Sequence, residues 1–480
     1  MRAVFANRKP TIKEICSMCA GRLNILGVSE DETVSGMCTD SREAEPDTLF
    51  VAIKGERVDG HDYILSAAKQ GCCLALAERV PDMCGADKYA IIVVDDVLLA
   101  LERIAFALKN EIDCLTVGIT GSVGKTTTKE FVYAVLKEHY KTYKTEGNHN
   151  SVIGMPISVI EMPRDTEAAV FEMGMSGVGE IASMTRAARP NIAIITTIGT
   201  SHIEMLGSRE NICLAKMEIA EGLCENGTLV LNGDEPLLVS ADKKGHRVIY
   251  VGIENRNADY RALNIRTGIN KTTFDLLCGG RIYSNIELPV MGHHNVYAAL
   301  FAFAVGRLCH MDGEEIRRGL LSYKSVGMRQ NIYQLGGITL IEDCYNASPE
   351  SMHSALDVLS QLSEQKGGAR TAALLGDMLE LGENSPALHR EVGTYAAKKG
   401  CSLLFTYGER AKNIALSAIE KGMNPENVYV NPNTESPQTT GEMLLHALRS
   451  GDILLVKASR SIAAERIIDY LKKNLEKLPK

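Results

Sequence analysis

The chain lacks any apolar run of the roughly 20 residues that a membrane-spanning helix requires. It also lacks a basic surplus: 52 lysines and arginines stand against 60 aspartates and glutamates, a net charge of -8. Gripping a nucleic-acid backbone needs a positive surface, so this balance argues against such a partner. A local basic pocket for a small anion stays open. No secretory leader is read at the start, and the thirteen cysteines are dispersed and odd in number. That usage fits reduced, buried thiols in a cytoplasmic protein rather than a disulfide scaffold. Cys16 and Cys19 have CxxC spacing, but no second CxxC follows. Ile12, Ile15, Cys16 and Cys19 fall on one helical stripe, which favours core packing over zinc. Tryptophan, low-complexity segments, short repeats and a GxSxG nucleophile motif are also missing.

The remainder is an ordinary globular composition, 480 residues with 45% hydrophobic and 23% charged. At roughly 150 residues per domain, that length implies about three domains. Residues 1–111 hold short elements such as TLFVAIKG (48–55) and KYAIIVVDD (88–96). From 112 to 326 the apolar runs LTVGIT, AAVFEM, NIAIITTIG and GTLVLNG read as strands. Between them TTTKEFVYAVLKEHY reads as a helix, with Thr128, Phe131, Val132, Val135, Leu136 and Tyr140 on one face. The alternation restarts over 327–480 with GGITLIED, TAALLGD, CSLLFTYG, NVYV and DILLVKAS as strands. HREVGTYAAKKG, ERAKNIALSAIEKG and SIAAERIIDYLKKNL read as the helices there. Alternation of this kind predicts α/β domains built on mostly parallel sheets covered on both faces.

The sharpest chemical signal is LTVGITGSVGKTTTKE (115–130). A strand, a glycine turn and a helix start are the setting in which backbone N–H groups and the positive helix end face an anion. Thr120, Gly121, Ser122, Val123, Gly124, Lys125, Thr126 and Thr127 would form this phosphate cradle. Lys125 would reach the outer phosphates and the Thr126 hydroxyl would hold Mg²⁺. The strict GxxxxGK[ST] pattern fails, because Ile119 stands where the first glycine belongs. Downstream, Glu172 ends a strand and His202 follows the next one. Both would sit at the carboxyl edge of the sheet, where ligands bind. The glycine cluster GMSGVG (174–179) has no basic residue and reads as a turn. Lys216 falls inside the apolar stripe Ile212, Ala215, Ile219, Leu223 of its helix. The helix alone favours a lysine that snorkels to solvent. The alternative is a buried neutral amine, which can take up CO₂ as a carbamate and bind a hard cation.

The motifs TGSVGKTTT, FEMG, IGTSHIE and AKMEI, in that order, resemble the Mur ligases, ATP-dependent ligases that build the peptide of bacterial cell-wall precursors. CTDSR, LFVAIKGERVDGHDYI, KTEGNHN, GHHNVYAAL, EDCYNASPESM, LGDMLELGE and VKASRS extend the resemblance over essentially the whole chain. They narrow it to the branch that joins D-Ala-D-Ala to UDP-N-acetylmuramoyl-tripeptide. The resemblance implies a small N-terminal domain for the UDP end of that substrate, with Ser41 and Arg42 in its site. It implies a central P-loop domain for ATP and a C-terminal Rossmann-like domain for nucleotide and dipeptide. Glu172, His202 and a carbamylated Lys216 match Mg²⁺ ligands beside Thr126. Asn148 and Asn150 match positions near the muramoyl substrate, and Asn295, Arg329 and Asp343 match positions around the nucleotide. Tyr345, Asn346, Lys457 and Arg460 match positions handling the dipeptide or the γ-phosphate. Asparagines are expected where Ser151, Ala298 and Ser348 stand, and glycine where Ala458 stands.

The implied chemistry activates a carboxylate as an acyl phosphate, which a monomeric enzyme would then pass to the dipeptide amine with loss of phosphate. Three other functions remain open at this point. One is a ligase for a different amino-acid, dipeptide or folate-type acceptor, another a small-molecule kinase. The third is a non-catalytic nucleotide-binding partner protein.

Overall fold

The computed structural model describes residues 1–55, 57–81 and 88–474. Glu56, within the 49–64 stretch, and residues 475–480 at the end of the third segment lie outside the described residues.

Among the described residues the strands form three sheets. The first has six strands in the order Arg2–Val4, Gly36–Cys38, Thr48–Val51, Leu74–Ala77, Tyr89–Val93, Arg22–Leu26. Its four inner strands are parallel and its two edge strands antiparallel. The helix Ile12–Cys19 packs Ile12, Ile15 and Cys19 into this core, so the CxxC spacing serves packing.

The second sheet carries the phosphate cradle. Leu115–Thr120 lies between Ile192–Ile195 and Ala168–Glu172, all parallel. Thr142–Lys144 forms one edge, and Thr228–Asn232 and Arg247–Gly252 extend the other side. Near-continuous apolar runs suit strands covered on both faces. Phe131, Val132 and Val135 of helix Lys125–Leu136, with Phe301 and Phe303 of helix His293–Leu308, cover one face. Ile181, Met184, Ile212 and Met217 cover the other. Each fully buried phenylalanine contributes roughly 2 kcal/mol by area.

The sheet is mixed rather than parallel throughout. Tyr260–Gly268 joins Arg247–Gly252 in parallel, then Lys271–Cys278 and Arg281–Leu288 turn back as an antiparallel meander. The Gly279–Gly280 dipeptide permits the two-residue turn, with φ values of 55° and 76°.

The third sheet runs Asn331–Leu335, Ile338–Glu342, Ile453–Lys457, Thr371–Gly376, Leu403–Tyr407, Val428–Asn431. It is parallel apart from its first strand. The long helix Pro349–Gln365 covers one face and is announced by an N-cap, Ser348, followed by proline at the first helical position. Ser348 thus has a helix-capping role where an asparagine was expected. No helix among the described residues is long and apolar enough to cross a membrane. The described cysteines are free thiols, most of them buried.

Candidate active site

The carboxyl ends of the central parallel strands meet the third sheet across a cavity of about 590 Å³. Side chains from both sheets line it, as expected where ligands bind beyond the carboxyl edge of parallel strands.

The cradle loop is held by its neighbours. Ser122 N donates to Thr197 O at 2.9 Å, and the Thr196 hydroxyl donates to Val123 O at 2.6 Å. Gly121 has φ of +146°, and a Cβ there would lie 1.9 Å from Thr196 Oγ1. Glycine is therefore obligatory at this close approach. Gly124, with φ of +86°, starts the helix, whose first N–H groups have no intrahelical acceptor and face the cavity end. Lys125 Nζ folds over the loop and donates to Gly121 O at 2.8 Å. Burial lowers its pKa, with Glu172 opposing.

Glu172 is 3% exposed and accepts from the Thr126 hydroxyl at 3.1 Å and Asn150 Nδ2 at 2.9 Å, both on Oε1. Burial pushes its pKa up, but Lys129, Lys125 and Arg329 outweigh that and hold it below its ordinary value. Its Oε2 is buried without a hydrogen-bond partner. His202 adopts a left-handed backbone, φ 64°, and its Nδ1 lies 2.6 Å from the Glu380 carboxylate of the third sheet's domain.

Lys216 corrects the snorkelling expectation. It is 1% exposed, and burial depresses its pKa well below the ordinary value, with repulsion from the Lys125 ammonium adding to it. Lys216 itself is not among the residues that line the cavity.

The third domain contributes the opposite wall. Lys457, 3% exposed, pairs with Asp343 at 2.7 Å and donates to Asn346 O at 3.1 Å. The Arg329 guanidinium lies 4.0 Å from the centroid of the Tyr345 ring. Asn295, buried, donates to Met291 O at 2.7 Å and Gln330 Oε1 at 3.0 Å. The cavity thus gathers Ser122, Val123, Gly124, Lys125, Thr126, Thr127, Asn150, Glu172, His202, Asn295, Arg329, Asp343, Tyr345, Asn346 and Lys457.

It does not gather every candidate. Thr120, the last residue of its strand, and Gly121, the first of the loop, are buried and lie outside the cavity lining. Asn148 is exposed in the preceding turn. Ser41 lies on the first sheet's domain, buried, while the neighbouring Arg42 side chain is 85% exposed and held by Asp40 at 2.5 Å. Arg460 is turned away onto Glu465 at 2.8 Å.

Several residues escaped the sequence reading. Lys129 is 2% exposed, donates to Thr145 O at 2.8 Å and lies 3.6 Å from Glu172 Oε2. Its signal was a second lysine one helical turn after Lys125, next to the buried face. Asp234 accepts from Tyr297, Ile253, Glu254 and Asn255 at the cavity rim. Glu350 and Glu380 lie in YNASPESM and LGDMLELGE, stretches whose resemblance was legible while the contacts of these acids were not.

Three family models match the chain: "Mur ligase family, catalytic domain" over 33–107, "Mur ligase middle domain" over 119–306 and "Mur ligase, glutamate ligase domain" over 328–460. The UDP-N-acetylmuramoyl-tripeptide–D-alanyl-D-alanine ligase of Bacillus subtilis is 38% identical over 469 residues, covering 96% of this chain and 98% of that protein. The structure resembles MurF from Acinetobacter baumannii, with a TM-score of 0.86 and 26% identity over 98% of this chain and all of that one. It also resembles MurF ligase from Thermotoga maritima in complex with ADP, with a TM-score of 0.80, 27% identity, and coverage of 92% and 98%. Relatives spanning the whole length, models spanning all three sheets and the cradle facing a second cationic wall agree: the chain belongs to the Mur ligase family.

Proposed function

We propose that the protein is an ADP-forming amide ligase that joins D-Ala-D-Ala to UDP-N-acetylmuramoyl-tripeptide in peptidoglycan precursor synthesis. The observation that carries this reading is a single cavity with cations on both walls, Lys125 from the central domain and Arg329 and Lys457 from the third. A carboxylate and a triphosphate repel one another, and opposed cations are what brings such anions into contact.

The tripeptide's terminal carboxylate oxygen attacks the γ-phosphorus of ATP, and ADP leaves. The dipeptide amine attacks the acyl carbon, phosphate departs with that carboxylate oxygen, and the nitrogen loses a proton as the amide forms. Lys125 and the cradle N–H groups hold the phosphates. Arg329 and Lys457 face the transferred phosphoryl group, and Asn295, Arg329 and Asp343 hold the nucleotide. Asn148 and Asn150 attend the muramoyl peptide, Ser41 and Arg42 its UDP end, and Tyr345, Asn346 and Arg460 the dipeptide.

The donor set suits a hard cation: mostly oxygen ligands beside one imidazole, with a buried Glu172 Oε2 that has no hydrogen-bond partner and a Thr126 hydroxyl on the other carboxylate oxygen. Among the described residues no three His, Cys, Asp or Glu side chains form a cage, and in this reading the Thr126 hydroxyl and a Lys216 carbamate would complete the set. Mg²⁺ held by Thr126, Glu172, His202 and the Lys216 carbamate would neutralise charge on the phosphate oxygens. Burial of the Lys216 amine supports its neutral, CO₂-reactive form. Residues 1–111, 112–326 and 327–480 serve as the three substrate domains of a cytoplasmic monomer, and the division into three is supported by three family models, one matching within each segment.

The test is phosphate release from ATP and Mg²⁺ with UDP-N-acetylmuramoyl-tripeptide, with and without D-Ala-D-Ala. Release requiring both, with an amide product of their summed mass less water, is the expected result. No turnover with any dipeptide would sink the ligase reading.

A further inference from the structure

Two acids of the third domain converge on one loop of the central domain. Glu350, in the first turn of helix Pro349–Gln365, accepts at Oε1 from Thr200 N at 2.8 Å and from the Thr200 hydroxyl at 3.0 Å. Gly199 makes room for it, since a Cβ there would lie 2.8 Å from that carboxyl group. Two residues on, His202 Nδ1 meets Glu380 Oε2 at 2.6 Å, and Glu204 N donates to Glu380 O at 3.3 Å. The loop around Glu380 is shaped for this reach: Glu380 and Gly382 have φ of 62° and 54°, and Gly382 packs against Glu204.

We propose that Glu380 is a positioning residue that the third domain delivers onto His202, fixing the ring with its proton on Nδ1 and its bare Nε2 turned to the phosphate site. A carboxylate only accepts, so the imidazole nitrogen 2.6 Å from it carries the proton. The other nitrogen is then the one free to donate a lone pair. Carboxylates fix metal-binding histidines in this way, and losing such a partner weakens metal affinity by roughly 10- to 100-fold. Here the carboxylate and the ring come from different domains, so a competent His202 exists only while the two domains are docked. Glu350 holds the same loop by its backbone and so sets where the ring stands. The Glu380 side chain is 57% exposed, so screening limits its part in stability and its consequence is orientation.

The role given to His202 rests on the ligase reading above, but the state of its ring can be read without turnover. Long-range proton–nitrogen NMR of ¹⁵N-histidine-labelled, nucleotide-free protein, well above the ordinary histidine pKa of about 6.5, reports the tautomer. Loss of a signal in H202N assigns the ring. In the native protein Nδ1 is expected to be protonated and Nε2 bare. E380A should scramble the tautomers, while E380Q, whose amide oxygen still accepts, should keep them. The Mg²⁺ concentration for half-maximal phosphate release should rise about tenfold in E380A, with the KM for the UDP-tripeptide within twofold. A protonated Nε2 in the native protein, an E380A ring spectrum like the native one, or an unchanged Mg²⁺ dependence would each overturn the proposal. An ordered tautomer in a protein that turns over no dipeptide would instead retain the Glu380–His202 relation and remove the ligase reading.

Discussion

The two ends of the site are built differently. At the phosphate end, the half-buried Lys125 and the buried Lys129 and Lys457 donate to backbone carbonyls, and the buried Glu172 accepts from the Thr126 and Asn150 side chains. At the end proposed to meet UDP, Arg42 is 85% exposed and is paired with its own neighbour Asp40. The first end is preorganised before any ligand arrives, which suits the stabilisation of charge that develops during reaction. The second can be ordered by the ligand it meets, which suits binding that is equal in ground and transition states.

Breaking the phosphate end should have the largest effect. Lys125→Ala is expected to lower kcat for phosphate release by roughly 10³-fold with a folded, nucleotide-free protein of native melting temperature. A loss below tenfold would show that the cradle amine is not needed for the transfer. Lys129→Ala should act on stability. It leaves the buried Glu172 without the cation 3.6 Å from its Oε2, while Glu130 keeps Lys144 at 2.5 Å, and is expected to cost about 3–5 kcal/mol in denaturant unfolding. An unfolding midpoint like the native one would mean Lys144 suffices for the cluster.

The open end should respond more gently. Arg42→Ala is expected to raise KM for the UDP-tripeptide about tenfold while leaving kcat within twofold, the pattern of lost uniform binding. A fall in kcat with KM unchanged would erase the distinction between the two ends. The smallest effect concerns Asp234 on the cavity rim. Burial raises its pKa, but N–H donation from Ile253, Asn255 and Glu254 and the Tyr297 hydroxyl more than offsets this and holds it below its ordinary value. Its folded value lies below the unfolded one, so the carboxylate adds stability above the ordinary aspartate range. That contribution is lost as pH falls through the folded value. Asp234→Asn should therefore flatten the acid side of the stability profile, as measured by melting temperature against pH.

The parallel strands and the cradle were readable because long apolar runs and a glycine turn are local signals. The meander over 260–288 was missed, although its alternating burial and the Gly279–Gly280 turn were present, because a half-exposed strand gives a weak period over eight residues. For Lys216 the helix periodicity located the side chain inside the apolar stripe, yet whether it snorkels depends on what covers that stripe. That cover is tertiary, and it buries the amine completely. Glu350 and Glu380 could be seen in their motifs but their targets could not, because Thr200 lies 150 residues from Glu350 and His202 178 residues from Glu380 in sequence. Local chemistry was legible; contacts between domains were not.

Transfer of the γ-phosphoryl group to the tripeptide carboxylate is the central proposed step, and isotope transfer tests it most directly. The tripeptide is prepared with ¹⁸O in both oxygens of its terminal carboxylate and turned over with ATP, Mg²⁺ and D-Ala-D-Ala. The released phosphate should carry one ¹⁸O, and the new amide should retain the other. Phosphate without the label, formed alongside the amide, would contradict the acyl-phosphate route.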